Sequence, residues 1–256
     1  MTVIWYFSST GNSLHAARSI AEKTGAGAPR PMRCGESEID LTDADRVGFV
    51  FPVYLHGVPS IVESFISRIQ FRNDAYVFAV VTHNGEPGGT LRKLHALLRR
   101  KGRALSAGYD IKMPGNSVIL ADLTSDEGEQ SRRVINADAE IQEIIRKVNE
   151  REVMPVPPRD SAKGFFLAKI LGFVTMIYRV HARFWTNDAC RKCGMCVRVC
   201  PVGNISMDNG VIRWKGKCLN CLACYHWCPE HAVELDHYTA KRRRYHHPRV
   251  SYPDMI

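Results

Sequence analysis

Residues 190–229 carry Cys190-Arg-Lys-Cys193-Gly-Met-Cys196-Val-Arg-Val-Cys200-Pro201 and, further on, Cys218-Leu-Asn-Cys221-Leu-Ala-Cys224-Tyr-His-Trp-Cys228-Pro229. One spacing, C-x2-C-x2-C-x3-C-P, therefore occurs twice. Paired C-x2-C units can form structural zinc sites, but zinc takes four ligands in two pairs. Here a third cysteine continues each run and a proline follows the fourth. A disulfide framework fits less well still, because no secretory leader precedes the segment and cysteines two residues apart pair poorly.

The segment from about 186 to 237 resembles the bacterial two-cluster ferredoxins, whose signature is this spacing. The resemblance implies crossed ligation of two [4Fe-4S] clusters. Cluster one would use Cys190, Cys193, Cys196 and Cys228, and cluster two Cys218, Cys221, Cys224 and Cys200. The ninth cysteine, Cys34, stands apart and reads as an ordinary thiol.

At 256 residues and 45% hydrophobic content, the chain has room for a second, larger unit ahead of this module. Charge is uneven: residues 1–150 carry 18 Lys plus Arg against 18 Asp plus Glu, and residues 151–256 carry 17 against 8, which gives the net +9. Two oxidised clusters with their thiolates would add about −4 and an FMN phosphate about −2, so the basic balance is a poor argument for nucleic acid. Cluster thiolates and the missing leader point to the cytoplasm.

The N-terminal half alternates strands and helices. Thr2 to Phe7 is an apolar run suited to a buried parallel strand. It enters Ser8-Ser9-Thr10-Gly11-Asn12-Ser13 and then a helical pattern from Leu14 to Lys23. A hydroxyl-rich loop at a helix N-terminus suits a phosphate through backbone N–H groups and the helix dipole, and this reading is favoured over the alternative of an N-cap at a tight turn. A nucleoside-triphosphate loop would need a lysine that is absent. Strands at Arg46 to Phe51, Tyr76 to Val81 and Leu105 to Lys112 follow, with helices at Ser60 to Ile69, Thr90 to Lys101 and Ser131 to Val148. The last helix has Ile135, Ile141, Ile144, Ile145 and Val148 on its apolar side. The segment around Ala28 to Cys34 reads as an edge strand interrupted by two prolines. This alternation predicts an α/β fold with a doubly wound parallel sheet, followed by a small α+β domain.

Ser8, Thr10, Gly11 and Ser13 match the S/T-x-T-G-x-S/T phosphate loop of flavodoxins, which this half resembles. The resemblance implies FMN held by Ser8 to Ser13, by Pro52, Val53, Tyr54, Leu55, His56 and Gly57, and by Thr82, His83, Asn84, Gly85, Gly88 and Gly89. Tyr54 is the natural stacking ring, and Gly57 is placed for the flexible peptide that flavodoxins turn toward the reduced flavin. His56, His83 and Asn84 are candidates for proton delivery or substrate orientation; loop packing is the plainer reading of Tyr54 and His56.

Four segments follow: 1–150, a flavodoxin-like FMN-binding domain; 151–185, a proline-rich linker and amphipathic helix; 186–237, the two-cluster domain; 238–256, a basic tail. Gly164 to Trp185 is too short and too charged to span a bilayer. Packing between the domains is expected, with membrane-surface contact as the less favoured reading. The tail, with Lys241-Arg242-Arg243-Arg244-Tyr245-His246-His247-Pro248-Arg249, is expected to dock on an acidic surface or steer an anionic partner, and nucleic acid is not expected.

With Met113-Pro114-Gly115-Asn116, Cys200-Pro201-Val202-Gly203-Asn204-Ile205 and Arg244 to Pro248, nearly the whole chain resembles the flavodoxin-ferredoxin fusion family (ferrodoxin-type) of anaerobic bacteria and archaea. The resemblance implies an oxidoreductase passing electrons between the clusters and FMN, coupling a low-potential donor to a protein or small-molecule acceptor. A non-enzymatic carrier or docking protein is the alternative, and a scaffold without FMN a third. Oligomeric state is not readable.

Overall fold

In the computed structural model, residues 1–35, 38–72, 74–119, 121–155, 170, 182–237 and 239–256 are described. Most of the proline-rich linker and of the segment from Gly164 to Trp185 lies outside them.

Five parallel strands form the main sheet: β1 (Thr2–Tyr6), β2 (Arg30–Pro31), β4 (Arg46–Pro52), β6 (Tyr76–His83) and β7 (Ala107–Lys112). Their order is β2-β1-β4-β6-β7. Counting only these five strands, that is 2-1-3-4-5, the doubly wound flavodoxin-like order, whose ligand site lies beyond the carboxyl ends at the switch point. Helices α1 (Asn12–Lys23), α2 (Ser60–Ser67), α3 (Thr90–Arg100) and α4 (Glu127–Asn149) connect and cover the strands.

Period-two side-chain alternation splits the core between two faces. Val3, Trp5, Val47, Phe49, Val77 and Ala79 face Ile61, Phe65, Leu94 and Leu98 of α2 and α3. Ile4, Val50, Phe78 and Val80 face Ala16, Ile20, Ile141 and Ile145 of α1 and α4. Three elements differ from the sequence expectation. The edge strand is reduced to Arg30–Pro31, as its prolines require. A small parallel pair, β3 (Ile39–Leu41) with β5 (Ile69–Phe71), takes the end of the expected Ser60–Ile69 helix. Ile135 is 66% exposed and Val134 is buried instead, because the 3.6-residue period carries the apolar stripe of α4 through Val134, Ala137 and Ile141.

The C-terminal module pairs β8 (Phe184–Thr186) with β11 (Val233–Leu235) and β9 (Ile205–Asp208) with β10 (Val211–Trp214), all antiparallel. Two one-turn helices lie within the cysteine runs, α5 (Met195–Arg198) and α6 (Ala223–His226), each carrying the third cysteine of its run. The module shares a core with the sheet: Cys221, Ala223, Trp227 and Val250 join the cluster that holds Phe7, Phe49 and Phe51.

Candidate functional site

The carboxyl ends of β1, β4 and β6 open onto a cavity of about 400 Å³, within the range of a cofactor site. Ser8, Ser9, Thr10, Asn12 and Ser13 line it from the first loop, and Pro52, Val53, Tyr54, Leu55 and His56 from the second. Thr82, His83, Asn84 and Gly85 line it from the third. Gly11, Gly57, Gly88 and Gly89 shape these loops without lining the cavity. Two further walls were not foreseen: the loop Pro114 to Ser117, and Leu219, Asn220 and Leu222 from the second cysteine run.

The first loop is held from behind. The Trp227 indole N–H donates to the Ser9 carbonyl (2.9 Å) and the His247 backbone N–H to the Thr10 carbonyl (2.7 Å). The two carbonyls are thereby committed to the C-terminal part of the chain. The free N–H groups of the first turn of α1 remain for an anion at the helix N-terminus. Gly11 sits at φ 96°, and a Cβ there would lie 2.9 Å from Val250 Cβ and 3.0 Å from His247 Cβ. Buried Ser13 exchanges a hydrogen bond with Thr82 (2.8 Å), joining the first and third loops. Asn12 is tied at both ends, its Nδ2 donating to the Pro114 carbonyl and its Oδ1 accepting from Tyr245.

In the second loop, Tyr54 and Gly57 exchange backbone hydrogen bonds around Leu55 and His56, at φ 49° and 57°. Two consecutive left-handed residues without glycine make a strained two-residue hairpin turn at the cavity mouth. The Tyr54 hydroxyl is buried without a regular hydrogen-bond partner. Burial raises its pKa well above the ordinary value, with Cys221 and Cys218 adding to the rise and a nearby Ser9 hydroxyl opposing it. Tyr54 lines the cavity and packs against the core cluster that includes Cys221 of the second cysteine run.

His83 Nε2 bonds Asp110 (2.9 Å), leaving Nδ1 buried and unpartnered. Asn84 is committed elsewhere: Arg133 donates to its Oδ1 and its Nδ2 reaches the Leu123 carbonyl. These bonds anchor the third loop to α4 and to Leu123, with Asn84 on the cavity wall.

The cysteines separate into two groups around two small cavities. One is lined by Cys190, Cys193, Cys196 and Cys228, the other by Cys200, Cys218, Cys221 and Cys224. The groups are related by local symmetry. The N–H four residues on from Cys200 donates to its sulfur (Asn204, 3.2 Å), as does that of Ala232 to Cys228 (3.2 Å). Each cavity is thus lined by four cysteines, three from one run and the last of the other. Burial pushes the Cys221 thiol up to about 12 and the Cys196 thiol up to about 11. Thiols so disfavoured as lone anions suit a cationic iron centre that stabilises the thiolates. The residues present thus fit clusters in both seats.

The second seat is the one beside the large cavity, since Leu219, Asn220 and Leu222 wall that cavity from between its cysteines. His226 and Asn116 reinforce the junction. His226 Nδ1 accepts from the Tyr245 N–H (3.1 Å), so Nε2 carries the proton donated to the Asn116 carbonyl (2.7 Å). Burial lowers the His226 pKa to about 4, keeping that neutral tautomer. Asn116 Nδ2 in turn donates to Ser9 Oγ (2.9 Å).

The tail expectation is corrected in one respect. The Arg244 side chain is 7% exposed, paired with buried Glu234 (3.0 Å), bonded to the carbonyls of His231 and Val233 (both 2.9 Å), and set over the Tyr225 ring. Tyr245, His247 and Val250 are buried as well, and His246 stacks on Trp227. The segment is a strap joining the cysteine module to the first loop. The signal that could have revealed it is the run of ring-bearing residues within the basic stretch.

Comparison with known proteins agrees with this geometry. A flavodoxin domain model matches residues 3–104, and a 4Fe-4S dicluster domain model matches residues 189–233. No curated protein matches the chain. Solved structures of similar fold include a putative flavoprotein from Bacteroides uniformis (17% identity, 44% of this chain and 90% of that one, TM-score 0.38). Others are an FMN-dependent NADH-azoreductase from Bacillus anthracis (11%, 58% and 99%, 0.40) and a flavodoxin of Streptococcus pneumonia TIGR4 (17%, 54% and 94%, 0.36). The fold is defined by the strand order and the matched flavodoxin domain. The protein is an electron-transfer flavoprotein-type α/β domain joined to an iron-sulfur domain. It matches the flavodoxin-ferredoxin fusions.

Among the described residues no helix is long and apolar enough to cross a membrane.

Proposed function

We propose that this chain carries FMN in the large cavity and two [4Fe-4S] clusters in the cysteine seats, and relays electrons between a one-electron donor and the flavin. The observation that carries the reading is the shared wall: Leu219, Asn220 and Leu222 belong both to the cavity and to the Cys218–Cys224 run. FMN, when bound, exchanges two electrons singly or as a pair, which suits a site fed one electron at a time. The cluster next to the flavin is then the one held by Cys200, Cys218, Cys221 and Cys224, and the outer one is held by Cys190, Cys193, Cys196 and Cys228.

The chain's own residues do the holding and gating. The first loop and the α1 N-terminus bind the phosphate, Trp227 and the strap orient that loop, and Tyr54 lines the cavity and packs against the core cluster that includes Cys221. His83, fixed by Asp110, is the candidate for proton exchange at the cavity. Residues 1–150, 186–237 and 238–256 act as one assembly, with the flavin site completed by the iron-sulfur module. An acceptor that enters the cavity makes the protein an oxidoreductase in its own right. A protein acceptor makes it a carrier.

The test is anaerobic reconstitution of the full chain with cofactor counting. About one FMN and eight irons per chain are expected, and Ser13→Glu should remove the FMN while leaving the iron. Four irons, or FMN retained by Ser13→Glu, would refute the assignment.

A further inference from the structure

We infer that the outer cysteine seat is the docking surface for an acidic one-electron carrier protein. This rests on the relay reading above, in which that seat is the one remote from the flavin.

Three observations define the surface. Cys193 is exposed, the only seat cysteine that is. Cations surround it: Arg191 is 75% exposed and Lys192 and Arg198 are exposed. Glu230, also at this seat, is already paired with Arg191 (3.2 Å). Among the described residues neither Lys192 nor Arg198 has a carboxylate in salt-bridge range. Apolar side chains also stand beside these charges. Met207 is 42% exposed and Val211 51% exposed, on the hairpin of β9 and β10.

Hairpin and cysteine loop form one continuous face. A Cβ at Gly194 would lie 3.1 Å from the Arg198 guanidinium and 3.9 Å from Met207 Cε. A Cβ at Gly210 would lie 3.0 Å from the Lys192 stem. Arg198 is pinned, donating to the Cys193 carbonyl (3.2 Å) and to Tyr252 Oη (3.1 Å), so its charge is presented in a fixed place. A small apolar centre ringed by cations is the anatomy of a transient interface for an anionic protein. An iron-sulfur centre at this seat carries about −2 with its thiolates, but the cations are more exposed than Cys190, Cys196 and Cys228 and meet the partner first.

With an iron-sulfur centre held behind Cys193, the transfer would be one electron from the reduced carrier to that centre. The carrier is oxidised by one, the iron centre reduced by one, and no bond or proton changes hands.

The experiment mixes anaerobic holoprotein with a reduced acidic ferredoxin in a stopped-flow and follows bleaching of the iron-sulfur absorption. Lys192→Glu should lower the second-order rate constant at least about fivefold at 10 mM salt, where the screening length is about 30 Å, and the deficit should shrink by 150 mM. Lys192→Gln should fall between. Lys23→Glu, an equal charge change at the far end of α1, should have little effect. Reduction by photoreduced deazaflavin should be unchanged in every variant. Equal losses in Lys192→Glu and Lys23→Glu, or a rate indifferent to salt, would overturn the proposal. So would salt-sensitive binding to vesicles of 20% phosphatidylserine that needs Lys192 while carrier rates do not. Failure of the relay reading itself would look different: no bleaching by deazaflavin, or a missing cofactor.

Discussion

Gly11 offers a direct test of the strap, because a methyl group there probes the contact between the first loop and residues 247–250. Two costs are separable. A side chain at positive φ costs about 1–2 kcal/mol. The new Cβ would also meet Val250 Cβ at 2.9 Å and His247 Cβ at 3.0 Å, neither of which is the end of a flexible chain, and overpacking of this kind costs about 1–3 kcal/mol. Gly25 supplies the control: its φ is +69° and nothing lies within 4 Å of its Cβ direction. Gly25→Ala should therefore cost only the backbone part, and Gly11→Ala about 2–5 kcal/mol in all. Since the clash falls on the phosphate loop, FMN affinity should weaken by at least about 30-fold, the equivalent of 2 kcal/mol. Flavin fluorescence titration of the deflavinated holo-iron protein gives the dissociation constant, and trypsin sensitivity after Lys241 to Arg244 reports strap release. If Gly11→Ala binds FMN as tightly as Gly25→Ala, the strap does not support the loop.

Other outcomes follow from single contacts. Cys200→Ala should strip iron from the seat of Cys218, Cys221 and Cys224 and spare the other, so selective loss of the other iron by Mössbauer or EPR would refute the crossed grouping. Tyr54→Phe deletes the buried hydroxyl without loss of ring packing; if that hydroxyl donates to a sulfur of the inner seat, one midpoint potential should fall by about 20–60 mV, one hydrogen bond's worth, with FMN retained. An unshifted redox titration would place the hydroxyl elsewhere. His247 is buried against His15, with Asp138, Arg249 and His246 nearby, and burial lowers its pKa from the ordinary 6.5 to about 3. Its contribution to stability is complete above 6.5 and is lost as pH falls, because the unfolded chain then takes up a proton that the folded chain refuses. The loss reaches about 1.4 kcal/mol at pH 5.5. Urea midpoints of the holoprotein between pH 7.5 and 5.5 should show it, and His247→Gln should lack that component; identical pH slopes would sink the idea.

What the sequence made legible was local. Apolar runs ending in Ser8, Pro52 and Thr82 read as strands delivering loops to one edge, because strand burial and loop polarity are both written in adjacent residues. Cysteine spacing likewise announces the two groups. The strap was not legible. Its contacts join Tyr245 to Asn12 and His247 to Thr10, more than 200 positions apart, and a run of arginines looks solvated until Glu234 and backbone carbonyls are folded around Arg244. The anchoring of Asn84 was hidden for the same reason, its partners Arg133 and Leu123 lying far along the chain. The left-handed turn at Leu55 and His56 escaped because neither residue is the glycine or asparagine that normally marks one. Ile135 failed by one register position on a helix whose start was placed too late.

The strap also sets an order of events during synthesis. The loop of Ser8 to Ser13 leaves the ribosome more than 230 residues ahead of His247 and Val250, which seat it. At about 5–20 residues per second, the interval is on the order of ten to fifty seconds, and every seat cysteine emerges within it. Flavin capture in its final form therefore follows the appearance of the complete iron-binding module, so that a chain stalled or cleaved before residue 245 holds its flavin loop unbraced.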